Sequence, residues 1–198
     1  MAEELTNVFL CTCSDEDRDE LRWHLFRAVK ARWEMEPGVR LTVIDPDEEY
    51  GYINHKHFQG WRRWRAERYN SSDPYILAED DCMPLGSNFV QRGVDILMRN
   101  PAYAVLSPTV LNGVYKGPAY TEDGELILAN SAGGINFTRK GRVKAPQTFW
   151  DEMDQAQQLR ADGWLSGYMP TVKMNHLGAG LSTIWPDPYT GVTQIADL

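Results

Sequence analysis

The feature that most constrains this chain is a short apolar strand that runs directly into three consecutive acids. Residues 75–77 are apolar and follow a turn at Asp73-Pro74, which predicts a buried strand. Glu79, Asp80 and Asp81 come next, and in an open α/β sheet ligands bind beyond the carboxyl ends of strands. Adjacent carboxylates repel one another unless a cation lies among them, and such oxygens suit Mg²⁺ or Mn²⁺. The stretch predicts a metal and nucleotide site, with a solvated acidic turn as the alternative.

Length, charge and composition exclude several classes of protein. A chain of 198 residues predicts one domain, and a net charge of -8 argues against binding nucleic acid with the whole surface. No apolar run reaches the length of a membrane span, and the first residues lack a signal-peptide pattern. Cys11 and Cys13 alternate along a predicted strand and would not pair easily. We therefore expect reduced thiols and a cytoplasmic location.

The first part of the chain reads as a βαβ unit. A strand is predicted over residues 7–13 and a helix over residues 17–34, with Leu21, Leu25, Val29 and Trp33 on its apolar face. A second strand follows over residues 40–44. This order predicts a parallel pair of strands.

The pattern changes after the acids. We expect Pro84 to end strand pairing, Ser87 to cap a helix whose apolar face includes Val90, Val94, Leu97 and Met98, and a strand over residues 103–107. Turn signals at residues 112–113 and 123–124 then flank short strands. A smaller, mixed half is therefore predicted from about residue 108.

The acidic triplet resembles the Asp-x-Asp metal motif of glycosyltransferases with the GT-A fold, although its first acid is Glu79. In that family the ends of the first two strands hold the nucleotide base, and Thr12 and Asp45 occupy those places. A turn-forming role for Asp45 before Pro46 is an equal alternative. The resemblance implies that Glu79 and Asp80 also contact the nucleotide.

A basic, aromatic-rich segment over residues 50–69 precedes the acids. The resemblance implies that an arginine here, Arg62, Arg63 or Arg65, reaches the donor nucleotide. Two alternatives stay open: a solvated helix face, or contact with nucleic acid or another anionic acceptor.

Glycines and a second acidic cluster complete the resemblance. Gly133 and Gly134 precede a strand, where GT-A enzymes line the donor-sugar pocket, although a plain loop is the alternative. Family two-like inverting glycosyltransferases carry Glu-Asp at a helix start and a Gly-aromatic pair about three turns later. Gly163-Trp164 matches that pair, and Asp151-Glu152 takes the place of the acids in reversed order, so the resemblance makes Glu152 the expected catalytic base. Asp151 and Asp154 remain candidates for that base, and stabilisation of the helix dipole is the alternative role for all three acids.

His176 ends a predicted strand over residues 171–176. A lone histidine is more often structural, but in GT-A enzymes a histidine here frequently completes the metal site. The resemblance implies a metal held by Asp81, His176 and Glu79, with Mn²⁺ or Mg²⁺ as the cofactor.

We therefore expect an α/β protein with a GT-A-like fold over residues 1–198. It would have a Rossmann-like nucleotide half (about 1–107) with a mostly parallel central sheet, and a mixed acceptor and catalytic half with a C-terminal arm (about 108–198). The expected activity is metal-dependent transfer of a sugar from a nucleotide-diphosphate sugar to a hydroxyl, with inversion preferred over retention. The acceptor class stays open among glycan, lipid-linked, protein and modified nucleic acid. The rival functions are a nucleotidyltransferase and a non-catalytic nucleotide-sugar or glycan-binding module.

Overall fold

A computed structural model describes residues 5–12, 20–44, 72–111, 126–128, 134–143 and 152–177. These residues form, in chain order, β1 Thr6–Cys11, α1 Glu20–Glu34, β2 Val39–Ile44, β3 Tyr75–Glu79, β4 Cys82–Pro84, α2 Phe89–Arg99, β5 Tyr103–Val110, β6 Ile127–Leu128, β7 Ile135–Thr138, α3 Glu152–Ala161 and β8 Leu165–His176. No helix among them is long and apolar enough to cross a membrane.

The strands form one sheet in the order β2-β1-β3-β7-β5-β8-β4, with β6 beside β8. Strand β1 is parallel to β2 and β3, and β5 is parallel to β8, whereas β7 runs antiparallel to both β3 and β5. Strands β1, β2, β3, β5 and β8 therefore share one direction. The predicted fold class is confirmed: the chain is an α/β protein with a GT-A-like architecture and a mixed sheet in which most strands run in one direction.

The first βαβ unit forms as predicted. Strand β1 pairs with β2 from Thr6 opposite Val39 to Cys11 opposite Ile44. The core between the sheet and α1 buries the α1 side chains of Phe26, Val29 and Trp33, and Leu25 is only half-buried. The apolar face is thus rotated toward Phe26, because 3.6 residues per turn move a strict four-residue repeat around the helix.

Helix α2 begins differently from the prediction. Its N-cap is Asn88, in the left-handed region at φ 51°, and not Ser87; the Asn88 side chain makes no capping hydrogen bond. Instead the Val90 N–H donates to Oε1 of buried Glu36 at 3.0 Å, and Arg32 pairs with the other oxygen of Glu36 at 2.7 Å. A carboxylate from α1's C-terminal side therefore satisfies an N–H at the start of α2.

The buried face of α2 also differs in one position. Val90 and Leu97 are buried and Val94 packs against the core, but Met98 is 48% exposed and Ile96 is buried in its place. The expected face was therefore right except at its last residue.

Strand pairing ends at Pro84 as expected, because Pro84 is the last residue of β4, but β4 itself was not predicted. Residues 82–84 form β4, in which Pro84 lies opposite Met174 of β8. Proline is tolerated because β4 is an edge strand of the described sheet. On its open side no described strand needs a hydrogen bond from a backbone N–H, which proline lacks. Strand β8 is also longer than predicted, starting at Leu165, so it pairs with β5 along its length and with β4 near its end.

Candidate metal and nucleotide site

Strand pairing brings the end of the chain's last described strand to the acidic residues. Strand β3 ends at Glu79, a turn follows, and β4 then runs antiparallel to β8 with Cys82 opposite His176. The Leu177 N–H donates to the Asp81 carbonyl at 2.7 Å, which fixes the register. Asp81 and His176 are 95 residues apart in sequence and are neighbours in the fold.

Four potential ligands meet at this point, which we call the four-residue group: Glu79, Asp81, Cys82 and His176. His176 Nε2 lies 3.2 Å from Asp81 Oδ2, and Cys82 Sγ lies 3.5 Å from Asp81 Oδ1 and 4.0 Å from Glu79 Oε2. One ligand atom from each residue lies within 4.8 Å of the others. Asp81 is 4% exposed, so its charge is largely withdrawn from solvent.

The donor set fits a divalent cation. With metal–ligand distances of about 2.1 Å, neighbouring ligands on an octahedral ion are about 3 Å apart and opposite ligands about 4 Å apart. The separations in the four-residue group lie near that range. Two carboxylates and an imidazole form a mixed oxygen and nitrogen set of the kind that Mn²⁺ accepts. A cation would also offset the cost of burying acids that follow one another in sequence.

Cys82 was passed over in the sequence reasoning. Burial raises the pKa of its thiol well above the ordinary value, and the negative charges of Glu79 and Asp81 raise the pKa further. The thiol is therefore neutral without an ion and donates to Asp81. Its position directly after the acids was visible in the sequence, but its place opposite His176 depends on the β4–β8 register.

Gly134 packs directly against this group. Its carbonyl accepts from the Glu79 N–H at 3.0 Å, and its φ is +75°. A Cβ here would lie 2.9 Å from Cys82 Sγ and 2.9 Å from Met174 Cε. The small residue expected at this position is therefore required by both backbone conformation and space, whereas Gly133 lies outside the described residues.

The two strand ends expected to hold a nucleotide lie beside the acids. Thr12 Oγ1 donates to Asp80 Oδ2 at 2.9 Å, and both residues are buried. The Thr12 N–H donates to the Ile44 carbonyl at 3.0 Å, so the ends of β1 and β2 stay together. Asp45 comes directly after β2 but lies outside the described residues.

The predicted acidic helix exists as α3, and its Gly-aromatic signal marks its end. Gly163 has φ +81°, and the Trp164 N–H donates to the Leu159 carbonyl at 2.8 Å. Glu152 is the first residue of α3. The side chains of Glu152 and Asp154 lie outside the described residues, as do Asp151, Arg62, Arg63 and Arg65.

A buried polar pair on the sheet had no signal in the sequence. Ser107 in β5 and Asn136 in β7 are fully buried, and the Ser107 hydroxyl donates to Asn136 Oδ1 at 2.9 Å. Asn136 Nδ2 makes no hydrogen bond within the described part of the chain. Asn136 lies opposite Leu77, two residues before Glu79.

Neither a protein-family profile nor a curated protein sequence matches this chain. Solved structures with a similar fold include that of A197 from STIV, with 16% identity, a TM-score of 0.52, and coverage of 87% of this chain and 85% of that chain. A second is GalNAc-T7 with UDP, GalNAc and Mn²⁺, at 10% identity and a TM-score of 0.54, covering 87% of this chain and 43% of that chain.

A third similar structure is UTP-bound UGPase from Acinetobacter baumannii, at 11% identity and a TM-score of 0.54. The match covers 89% of this chain and 90% of that chain. At these identities the likeness concerns the fold alone. The architecture is one that a glycosyltransferase and a nucleotidyltransferase both use.

Proposed function

We propose that this protein is a metal-dependent glycosyltransferase that moves a sugar from a nucleotide-diphosphate sugar to a hydroxyl acceptor with inversion. The observation that carries the proposal is the convergence of Glu79, Asp81 and His176 beyond the carboxyl end of β3, with ligand atoms within 4.8 Å of one another. The edge of an α/β sheet where parallel strands end is the usual place for a nucleotide.

In this proposal Asp81, His176 and Glu79 hold Mn²⁺ or Mg²⁺. A bound divalent cation supplies positive charge that stabilises the diphosphate as it leaves. Thr12 and Asp80 bind the nucleotide, and their hydrogen bond at 2.9 Å orients the Asp80 carboxylate. The fold similarity to GalNAc-T7, solved with UDP, GalNAc and Mn²⁺, is consistent with these assignments.

Apart from Gly134, the remaining roles fall on side chains or segments outside the described residues. Glu152 would take the acceptor's proton, and its place at the start of α3 favours an ionised carboxylate because the helix N-terminus is partly positive. Asp151 and Asp154 are the other candidates for this base. Asp45 would bind the base of the nucleotide, one of Arg62, Arg63 and Arg65 its phosphates, and Gly133 with Gly134 would line the sugar pocket.

We assign nucleotide binding to the half before about residue 108 and the acceptor to the half after it. Thr12, Asp80 and Asp81 belong to the first half, and α3 and His176 belong to the second. The acceptor is a hydroxyl on a glycan, lipid-linked, protein or modified nucleic-acid substrate.

Transfer assays with paired variants test the catalytic assignment. Asp81→Asn removes a metal ligand charge and Glu152→Gln removes the base, and each should lower turnover by about 10²-fold or more. Asp95→Asn is the matched control, because Asp95 is exposed on α2 and bonded to Gln91. If Asp81→Asn and Glu152→Gln both fold and both retain full turnover, the proposed mechanism is wrong.

Thermal shift with a panel of ligands separates the proposed function from its rivals, since a ligand stabilises the fold that binds it. With Mn²⁺ present, nucleotide-diphosphate sugars should raise the melting temperature more than nucleoside triphosphates. A larger rise in melting temperature with nucleoside triphosphates would favour a nucleotidyltransferase. UGPase, which has a fold similar to this chain's, belongs to that class. That class usually has a Gly-rich, basic loop after the first strand, whereas residues 13–17 here are acidic. Binding of a nucleotide sugar without turnover would indicate a non-catalytic module.

A further inference from the structure

The four-residue group contains a sulfur atom that the proposed mechanism does not use. Cys82 is fully buried and lies opposite His176 in the β4–β8 pairing. The distance from its Sγ to Asp81 Oδ1 is 3.5 Å, and the distance to Glu79 Oε2 is 4.0 Å. The sulfur is therefore placed among the same oxygen and nitrogen atoms that would hold Mn²⁺.

Two of the distances between these atoms are close to the ligand–ligand distances of a four-coordinate site. With a zinc–sulfur distance of about 2.3 Å and zinc–oxygen and zinc–nitrogen distances of about 2.0 Å, tetrahedral geometry puts sulfur about 3.5 Å from oxygen and nitrogen about 3.3 Å from oxygen. The Cys82–Asp81 distance is 3.5 Å and the His176–Asp81 distance is 3.2 Å. Asp81 faces the thiol with one oxygen and the imidazole with the other, and a carboxylate can bind through either.

The backbone around the thiol leaves it little freedom to turn away. A Cβ on Gly134 would lie 2.9 Å from Cys82 Sγ, so the Gly134 backbone packs closely against the sulfur. The bulk of Met174 lies on the same side, since that Cβ would also meet its Cε at 2.9 Å. The sulfur thus stays on the side of the carboxylates.

We infer that Cys82 is a fourth ligand which makes the site selective between two kinds of cation. Hard ions such as Mn²⁺ and Mg²⁺ bind Glu79, Asp81 and His176 and keep open positions for a diphosphate. Thiophilic ions such as Zn²⁺ and Co²⁺ bind all four side chains and close the coordination shell. The thiol proton passes to solvent as the sulfur–metal bond forms, and no atom is oxidised or reduced. This inference rests on the proposed function for its first mode only.

The closed mode has a consequence for turnover. An ion held by four protein ligands has no position for phosphate, so Zn²⁺ should compete with Mn²⁺ and inhibit the transfer reaction. Zn²⁺ also binds oxygen and nitrogen sites more tightly than Mn²⁺, so the inhibition supports the closed mode only if Cys82→Ser relieves it.

Cobalt spectroscopy tests sulfur ligation without reference to activity. Co²⁺ added to the protein should give a near-ultraviolet thiolate-to-cobalt charge-transfer band and the visible bands of a tetrahedral ion, and one equivalent of Zn²⁺ should remove both. Cys82→Ser should lose the charge-transfer band and bind Zn²⁺ at least ~10-fold more weakly, while Mn²⁺ binding changes by less than about threefold.

The sequence has three cysteines, so the controls are complete. Cys11→Ala and Cys13→Ala should each keep the band, which identifies Cys82 even if its own variants fold poorly. Cobalt bound without the band would overturn sulfur ligation and leave the proposed transferase function standing. Failure of both Mn²⁺ and Co²⁺ to bind, with a nucleoside diphosphate present, would overturn both.

Discussion

Gly134 shows how one residue can control the geometry of the site. Its φ is +75°, and Cys82 and Met174 lie so close that there is no room for a side chain at this position. Gly134→Ala should therefore lower the free energy of unfolding by about 1–3 kcal/mol through backbone strain. It should also weaken Mn²⁺ binding, because Glu79 is held by the Gly134 carbonyl. Denaturant unfolding and metal titration would measure the two effects.

The matched control is Gly38→Ala. Gly38 also has a positive φ, of 72°, but a Cβ there would meet nothing within 4 Å. The control should lose stability through the same strain and keep full metal affinity. Equal metal affinity in the two variants would show that close packing at Gly134 does not shape the site.

The Ser107–Asn136 pair is a second case at the residue scale. Both side chains are fully buried, and the hydroxyl donates to the amide oxygen at 2.9 Å. Ser107→Ala leaves that oxygen without this donor and should cost about 1–3 kcal/mol of stability. In a double-mutant cycle with Asn136→Ala the two losses should couple by about 0.5–3 kcal/mol. Additive losses in urea unfolding would contradict a direct interaction.

At the scale of elements, α2 lies very close to the sheet. A Cβ on Gly93 would approach the Phe137 ring to 2.3 Å, so the helix packs its glycine onto β7. Alanine normally favours a helix over glycine by about 1 kcal/mol. Here the clash should reverse the sign, and Gly93→Ala should destabilise the protein by about 1–3 kcal/mol. Thermal unfolding would measure it.

A second substitution provides the control for that clash. Phe137→Leu in the Gly93→Ala background removes part of the ring that the new methyl meets. The double variant should be more stable than the sum of the two single changes predicts. Strict additivity would mean that the ring and the methyl do not collide.

The elements most open to sequence reasoning were those with a strong local pattern. Strand β1, helix α1 and strand β2 follow from an apolar run, a four-residue repeat and β-branched residues, so each was predicted nearly at its observed bounds. Strand β4 was missed because it depends on a partner strand about 90 residues away, where Met174 lies opposite Pro84. The start of α2 was missed because the acceptor of its Val90 N–H is Glu36, which lies in the turn after α1.

The same division applies to the site. The proximity of Asp81 and His176 followed from a family resemblance, and their 3.2 Å separation agrees with it. Their role as metal ligands stays a prediction. No local pattern marked Cys82, because its place in the group depends on the register between β4 and β8.

For the whole molecule, metal binding and folding should be linked. The four-residue group draws on β3, β4 and β8, so an ion bound there joins both halves of the sheet. Mn²⁺ at about 100 times its dissociation constant should add about 2.7 kcal/mol and raise the melting temperature by about 5–10 °C. His176→Asn should remove most of this shift, and Asp95→Asn should keep it. A shift unchanged in His176→Asn would place the ion elsewhere.

The 95-residue separation between Asp81 and His176 also affects biosynthesis. A growing polypeptide on the ribosome exposes the acidic turn long before the histidine has been made. The four-residue group can therefore form only after synthesis has passed β8, so incomplete chains lack it.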